Sequence, residues 1–183
     1  MNKEMRTMMT MDDIRRLSRE AFIRDVGHVF EHSPWVAESA YDQGGPFLST
    51  DDVYRRMLTA MHAGSEEQKL SLLRAHPDLG GRIQMTEASV AEQKGAGLDQ
   101  LSAEEYQTLQ ELNTLYTEKF GFPFILAVKG KTKEEIITNL KERIHHTKEK
   151  EFATALHEVG KIAGFRLHDL ITGMKTKEEI SHD

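Results

Sequence analysis

Helix-start signals recur along this chain at intervals too short for long helices. Thr10 with Asp13 forms a capping box, with Asp in place of the usual Glu. Ser65-Glu66-Glu67-Gln68, Ser102-Ala103-Glu104-Glu105 and Thr132–Glu135 repeat the pattern, and Thr50 or Asp51 supplies a further cap. Each places a side-chain oxygen where it can accept one of the orphan N–H groups of a first helical turn. Stops alternate with the starts, at Gly44-Gly45-Pro46, Gly64, His76-Pro77, Gly121 and Gly173. A chain cut this often does not make a bundle of four long helices. The pattern predicts an all-α single domain of about eight helices packed at varied angles.

The apolar periodicity fills in these spans. A first helix from Thr10 carries Ile14, Leu17, Val26, Val29 and Phe30 and ends at Glu31-His32-Ser33; Pro34 suits the first position of the next. Trp35, Val36, Ala40 and Tyr41 mark the second helix, and Val53, Tyr54, Met57, Leu58 and Met61 the third. Leu70, Leu72 and Leu73 lead into His76-Pro77. Tyr106, Leu109, Leu112, Tyr116 and Phe120 follow Ser102, and Ile136, Ile137, Leu140 and Ile144 follow Thr132. A last helix spans about residues 149–172. Phe122–Val128 has the composition of a buried strand, yet no partner strand exists elsewhere, so a buried extended or turn segment is expected.

Composition narrows the function classes. The 183 residues suffice for one well-cored domain. With no cysteine, disulfides, thiolate metal sites and a cysteine nucleophile are excluded, which fits a reducing cytoplasm. The start, MNKEMRTMMTMDD, lacks the apolar core of a signal peptide, and the ending Ile180-Ser181-His182-Asp183 is not a peroxisomal address. No apolar run reaches the length of a membrane span. A net charge of −6 argues against nucleic acid as a partner. The expected organisation is a helical domain over residues 1–173 and a polar tail over 174–183. The tail repeats the KTKEEI of Lys131–Ile136 without matching flanks, and is read as a frayed end or a linker to a missing partner domain.

Polar chemistry concentrates between Arg74 and Leu98. Pro77 keeps His76 out of the helical region, so His76 is extended just where a helix ends, and a helix C-terminus favours imidazolium. Gly80 and Gly81 let the chain turn back. Thr86 can then cap a short helix on which Ser89, Glu92 and Gln93 share one face. Spacing alone favours a plainer reading, a helix stop followed by a solvated helix face. Arg166 stands out separately. It follows Phe152, Leu156, Val159 and Ala163 on one apolar stripe of the last helix, where an unpaired charge is costly. By itself it reads as a snorkelling or structural arginine; with Glu92 as its counter-charge it becomes an anchor for an anionic, carbonyl-rich ligand.

HPDLGGR at His76–Arg82, the S-x-x-E-Q-x-x-A-G-L that follows, and FGFPFILAVKG at Phe120–Gly130 resemble the 2-oxo-4-hydroxy-4-carboxy-5-ureidoimidazoline (OHCU) decarboxylases of urate breakdown. The similarity covers nearly the whole chain, to about Gly173. It implies a carboxy-lyase that makes (S)-allantoin without a cofactor or metal, a homodimer, and a possible urate oxidase partner or fusion. It further implies His76 and Glu92 as catalytic residues, with Pro77, Ser89, Gln93, Arg166 and the backbone of Phe124, Ile125, Leu126, Ala127 and Val128 lining the substrate site. The residue types suit that chemistry. Loss of carbon dioxide leaves an electron pair that an adjacent ring C=N can take up. A histidine, which titrates near about 6.5, can then return one proton to one face.

Two other readings stay open on the residues alone. His168-Asp169, with His62, His76, His145, His146 and His157 elsewhere, suggests a metal-dependent helical phosphohydrolase. That reading lacks a suitably placed downstream aspartate, since only Asp183 in the tail follows the pair. A non-enzymatic helical interaction module would explain the caps and the acidic surface, but not His76, Glu92 and Arg166.

Overall fold

The computed structural model describes residues 8–80 and 87–171, with the side chains of 87–90 outside the description. The helices are α1 (Met11–Arg16), α2 (Arg19–Asp25), α3 (Pro34–Asp42), α4 (Thr50–Ala63), α5 (Glu66–Arg74), α6 (Glu87–Gly95), α7 (Ala103–Phe120), α8 (Lys133–Arg143) and α9 (Lys148–Ile171). One 3-10 turn, Gly27–Val29, follows α2. The described residues contain no strand, as the all-α reading expects, and nine α-helices where about eight were expected.

The capping boxes at Thr10/Asp13 and Ser102/Glu105 form reciprocally, and Thr132 caps α8. Pro34 opens α3. Two boundaries differ from the sequence reading. The first expected helix is broken at Leu17, which is extended at ψ 136°, because Ser18 caps a new helix by accepting from the Ala21 N–H. Ser and Thr compete for backbone donors in this way wherever a helix can restart. The cap of α4 is Ser49, not Thr50 or Asp51. Its hydroxyl accepts from the Asp52 N–H while the Asp52 carboxylate reaches back to the Leu48 N–H. The tail after residue 173, with its stop at Gly173, lies outside the described residues.

The chain groups into two compact units, one of residues 1–65 with 162–183 and one of residues 66–161. In the first, Phe22 stacks on Phe47 at 4.8 Å and meets Tyr41 at 5.7 Å. Arg56 lies over the Phe47 ring at 4.1 Å and donates to the carbonyls of Ala40 and Gly44. Close approach needs glycine at position 27, where a Cβ would stand 2.8 Å from that of Ala37. In the second unit Tyr116 sits among Phe120, Phe122 and Phe124, at 4.5, 6.0 and 5.4 Å between rings. Residues 123–128 are buried throughout and form neither helix nor strand, as expected for a segment with no strand to pair with.

The end of α7 shows how a local signal serves the site. Gly121 takes φ +80° and bonds its N–H to the Thr117 carbonyl, while its own carbonyl accepts from Arg74 Nε of α5 at 3.0 Å. A Cβ there would meet nothing closer than Arg74 Nη2 at 3.8 Å, so substitution strains only the backbone. Gly121→Ala should therefore cost about 1 kcal/mol. Urea unfolding should show a lower midpoint with an unchanged m-value.

Candidate active site

The site in the second unit is built on the turn between α5 and α6. The last turn of α5 tightens, with the Ala75 N–H on Ser71 and the His76 N–H on Leu73, before Pro77 prevents continuation. His76 is 8% exposed. Gly80 takes φ +70°, and a Cβ on it would lie 2.5 Å from Leu109 Cδ2, so both conformation and space require glycine. Gly81 and Thr86, expected to extend the turn and cap the next helix, lie outside the described residues.

Two amides hold this turn in place. Gln93 of α6 accepts from the Gly80 N–H at 2.9 Å through Oε1 and donates to the Asp78 carbonyl at 3.4 Å through Nε2. Asn113 of α7 donates to the Leu79 carbonyl at 2.9 Å. Both side chains are buried, and a buried amide is stabilised only when its partners are in place. Gln93 thus holds the His76 turn in addition to any part it takes with a ligand. Glu92 is half-buried beside it, and Ser89 lies on the same helix with its side chain outside the description.

Elsewhere in the unit, buried charges hold the segment Phe124–Val128. Arg143 Nη1 donates to the Ile125 carbonyl at 2.6 Å, and Glu158 Oε2 accepts from the Ala127 N–H at 3.0 Å. Between them Leu126, 4% exposed, has neither its N–H nor its carbonyl bonded by any group among the described residues. Arg143 in turn is gripped by Glu151 through Nε and Nη2, and Tyr116 and His146 also bond that carboxylate. Burial opposes ionisation of Glu151, but the bonds from Arg143 and Tyr116 outweigh it and hold the carboxyl below its usual range. Among the described residues no three His, Asp or Glu side chains converge as a metal site would require.

The OHCU decarboxylase family matches residues 15–168. The chain belongs to that family. It is 45% identical over 164 residues to the OHCU decarboxylase of Halalkalicoccus jeotgali, covering 90% of this chain and 93% of that one. It is 44% identical over 165 residues to the uric acid degradation bifunctional protein PucL of Bacillus subtilis, covering 90% of this chain but 33% of the relative. A crystal structure of OHCU decarboxylase in the presence of (S)-allantoin superposes with a TM-score of 0.68 at 29% identity, covering 81% of this chain and 98% of that one.

Of the site residues that the OHCU decarboxylase resemblance implies, the second unit holds all but Arg166, which belongs to the first. Arg166 is 8% exposed and its Nη2 lies 2.8 Å from Glu31, itself 3% exposed. Glu31, in the turn before α3, thus pairs with Arg166, a carboxylate that the sequence reading, which named Glu92, did not single out. Glu31 ends an apolar helix in the sequence and reads there as a polar stop, so only the fold reveals its burial. Arg143, Glu151, Glu158 and Asn113 were also missed. Each occupies a buried position on an otherwise apolar helix face, the same signal that singled out Arg166.

The Glu31 pair changes what truncation of Arg166 does. A merely snorkelling arginine could be replaced by leucine at little cost. Removing the cation beside buried Glu31 should instead cost about 3–5 kcal/mol. Replacing both residues by leucine should recover most of that loss in a double-mutant cycle read by thermal melts.

Asp78 allows a second test within the turn. Burial raises its carboxyl above the ordinary value of 3.8. The native state then binds the proton more tightly than the unfolded chain. The contribution is fully present below the unfolded value and lost as pH rises through the folded one. Ionised Asp78 therefore costs stability at neutral pH. Asp78→Asn should melt higher than the parent at pH 7, with the difference closing as the pH approaches 3.8.

Proposed function

We propose that this protein decarboxylates 2-oxo-4-hydroxy-4-carboxy-5-ureidoimidazoline to (S)-allantoin, with His76 as general acid. The observation that carries the reading is the buried His76 on a turn held by Gln93 and Asn113, in a chain of the OHCU decarboxylase family. The substrate's carboxylate and hydroxyl share one ring carbon, and the ureido group sits on the next. When the bond to the carboxylate breaks, carbon dioxide leaves and the electron pair moves into the adjacent C=N, giving an enol and a ring nitrogen that takes up a proton. The enol becomes a carbonyl as its O–H proton is lost and the ureido-bearing carbon gains one. His76 supplies that last proton, from one face.

Glu92 orients the substrate hydroxyl and stabilises an imidazolium at His76. Ser89, Gln93, Pro77 and the Phe124–Val128 backbone bind the ureido and ring amides, and Arg166 provides the counter-charge for the carboxylate. The described residues contain no helix long and apolar enough to cross a membrane. We further propose that the enzyme works in the cytoplasm as a homodimer. PucL, whose length this chain covers only in part, supports a further proposal of a urate oxidase partner or fusion.

His76→Ala should fold with a melting temperature close to the parent's and lose about 10²–10⁴-fold in kcat, the usual share of one acid–base group. Glu92→Gln should fold equally well and turn over poorly, because charge and not size is invoked. The assay is formation of (S)-allantoin from freshly oxidised urate, followed by circular dichroism. Near-parental turnover by the alanine variant would remove His76 from the chemistry.

A further inference from the structure

The second unit buries three charged side chains, Arg143, Glu151 and Glu158, that no step of the proposed reaction uses. Burying an ion pair is costly, and apolar residues of similar size often do as well for stability. What these charges do locally is specific. Arg143 fixes the Ile125 carbonyl while its guanidinium lies 4.5 Å from the centroid of Phe124 and is held by Glu151. Glu158 fixes the Ala127 N–H, with its other oxygen on Lys161 at 3.1 Å. Residues 125 and 127 are thus bonded toward α8 and α9, and Leu126 between them is not. The bonding pattern fits an extended chain, in which successive residues turn their backbone groups to opposite edges. A buried residue with both backbone groups unpaired is expensive unless something else completes it.

We propose that Arg143 and Glu158 are positioning residues for the substrate. By holding Ile125 and Ala127 on one edge, they present the Leu126 N–H and carbonyl on the other as a donor–acceptor pair for the ureido amide. The inference rests on the reading of Phe124–Val128 as the wall of the decarboxylase site. It assigns recognition of the ureido group to charges that never touch it. Glu158 does so as a plain acceptor, so an amide oxygen at the same place serves as well. Arg143 does so as a fork, which an ammonium cannot reproduce while also pairing with Glu151.

The test compares the parent, Glu158→Ala, Glu158→Gln and Arg143→Lys in steady-state decarboxylation, equilibrium binding of (S)-allantoin and thermal melts. Glu158→Ala should raise KM about tenfold with kcat within about twofold, the pattern of lost uniform binding. Its dissociation constant for (S)-allantoin should rise in parallel, and Glu158→Gln should stay near the parent in all three measurements. A purely structural role would lower the melting temperature and active fraction without moving KM. If the alanine variant does not fold, Arg143→Lys decides, since it keeps the charge opposite Glu151 and should still raise KM. Unchanged KM and allantoin affinity in a folded Glu158→Ala or Arg143→Lys would overturn the positioning role, as would a glutamine variant as impaired as alanine. A parent that neither decarboxylates the substrate nor binds (S)-allantoin would instead sink the functional reading beneath it.

Discussion

The Glu151 carboxylate is the interaction on which the second unit turns. It is fully buried, and it is tolerated there because Arg143, Tyr116 and His146 converge on it from α8, α7 and the loop before α9. Burial, with Glu151 accepting its hydroxyl, pushes the Tyr116 phenol well above its usual range, so it stays a donor. One charge thereby ties three parts of the chain together around the aromatic cluster. Because Glu151 is held below its ordinary value, its contribution is present above the unfolded value of 4.5 and lost as pH falls through the folded one. The same guanidinium that satisfies it reaches the Ile125 carbonyl, so core electrostatics and the shape of the candidate site are set by one side chain.

The His76 turn is built on a different principle. Two neutral amides hold it, from helices that follow it in sequence. Gln93 and Asn113 satisfy backbone groups at Asp78, Leu79 and Gly80, and so fix the form of the turn. Rigid support of this kind suits delivery of a proton in one direction, the role proposed for His76. In the first unit the buried Arg166–Glu31 pair plays the part that Arg143–Glu151 plays in the second, a cation made tolerable by a carboxylate on a neighbouring turn.

The family, the helical class and most helix starts were legible in the residues. Caps, the αL glycine after α7 and the proline that opens α3 act within about one turn of chain, so each can be read where it stands. His76-Pro77 and the Gly80 turn were legible for the same reason. The early break at Leu17-Ser18 was missed because Ser18 carries a cap signal inside an apolar pattern that also fits one long helix, and its hydroxyl takes the Ala21 N–H.

What the sequence by itself determined is therefore local: where helices begin and end, which segment is buried without a strand partner, and which histidine stands at a helix stop. Only the tertiary structure decided which charges meet. Arg166 meets Glu31, Arg143 meets Glu151 and the Ile125 carbonyl, and Glu158 meets the Ala127 N–H. Periodicity shows that a polar residue lies on a buried face, but not which distant group will face it. That choice depends on how helices pack once loops close, and the cost of an unpaired buried charge selects the arrangement in which each finds a partner.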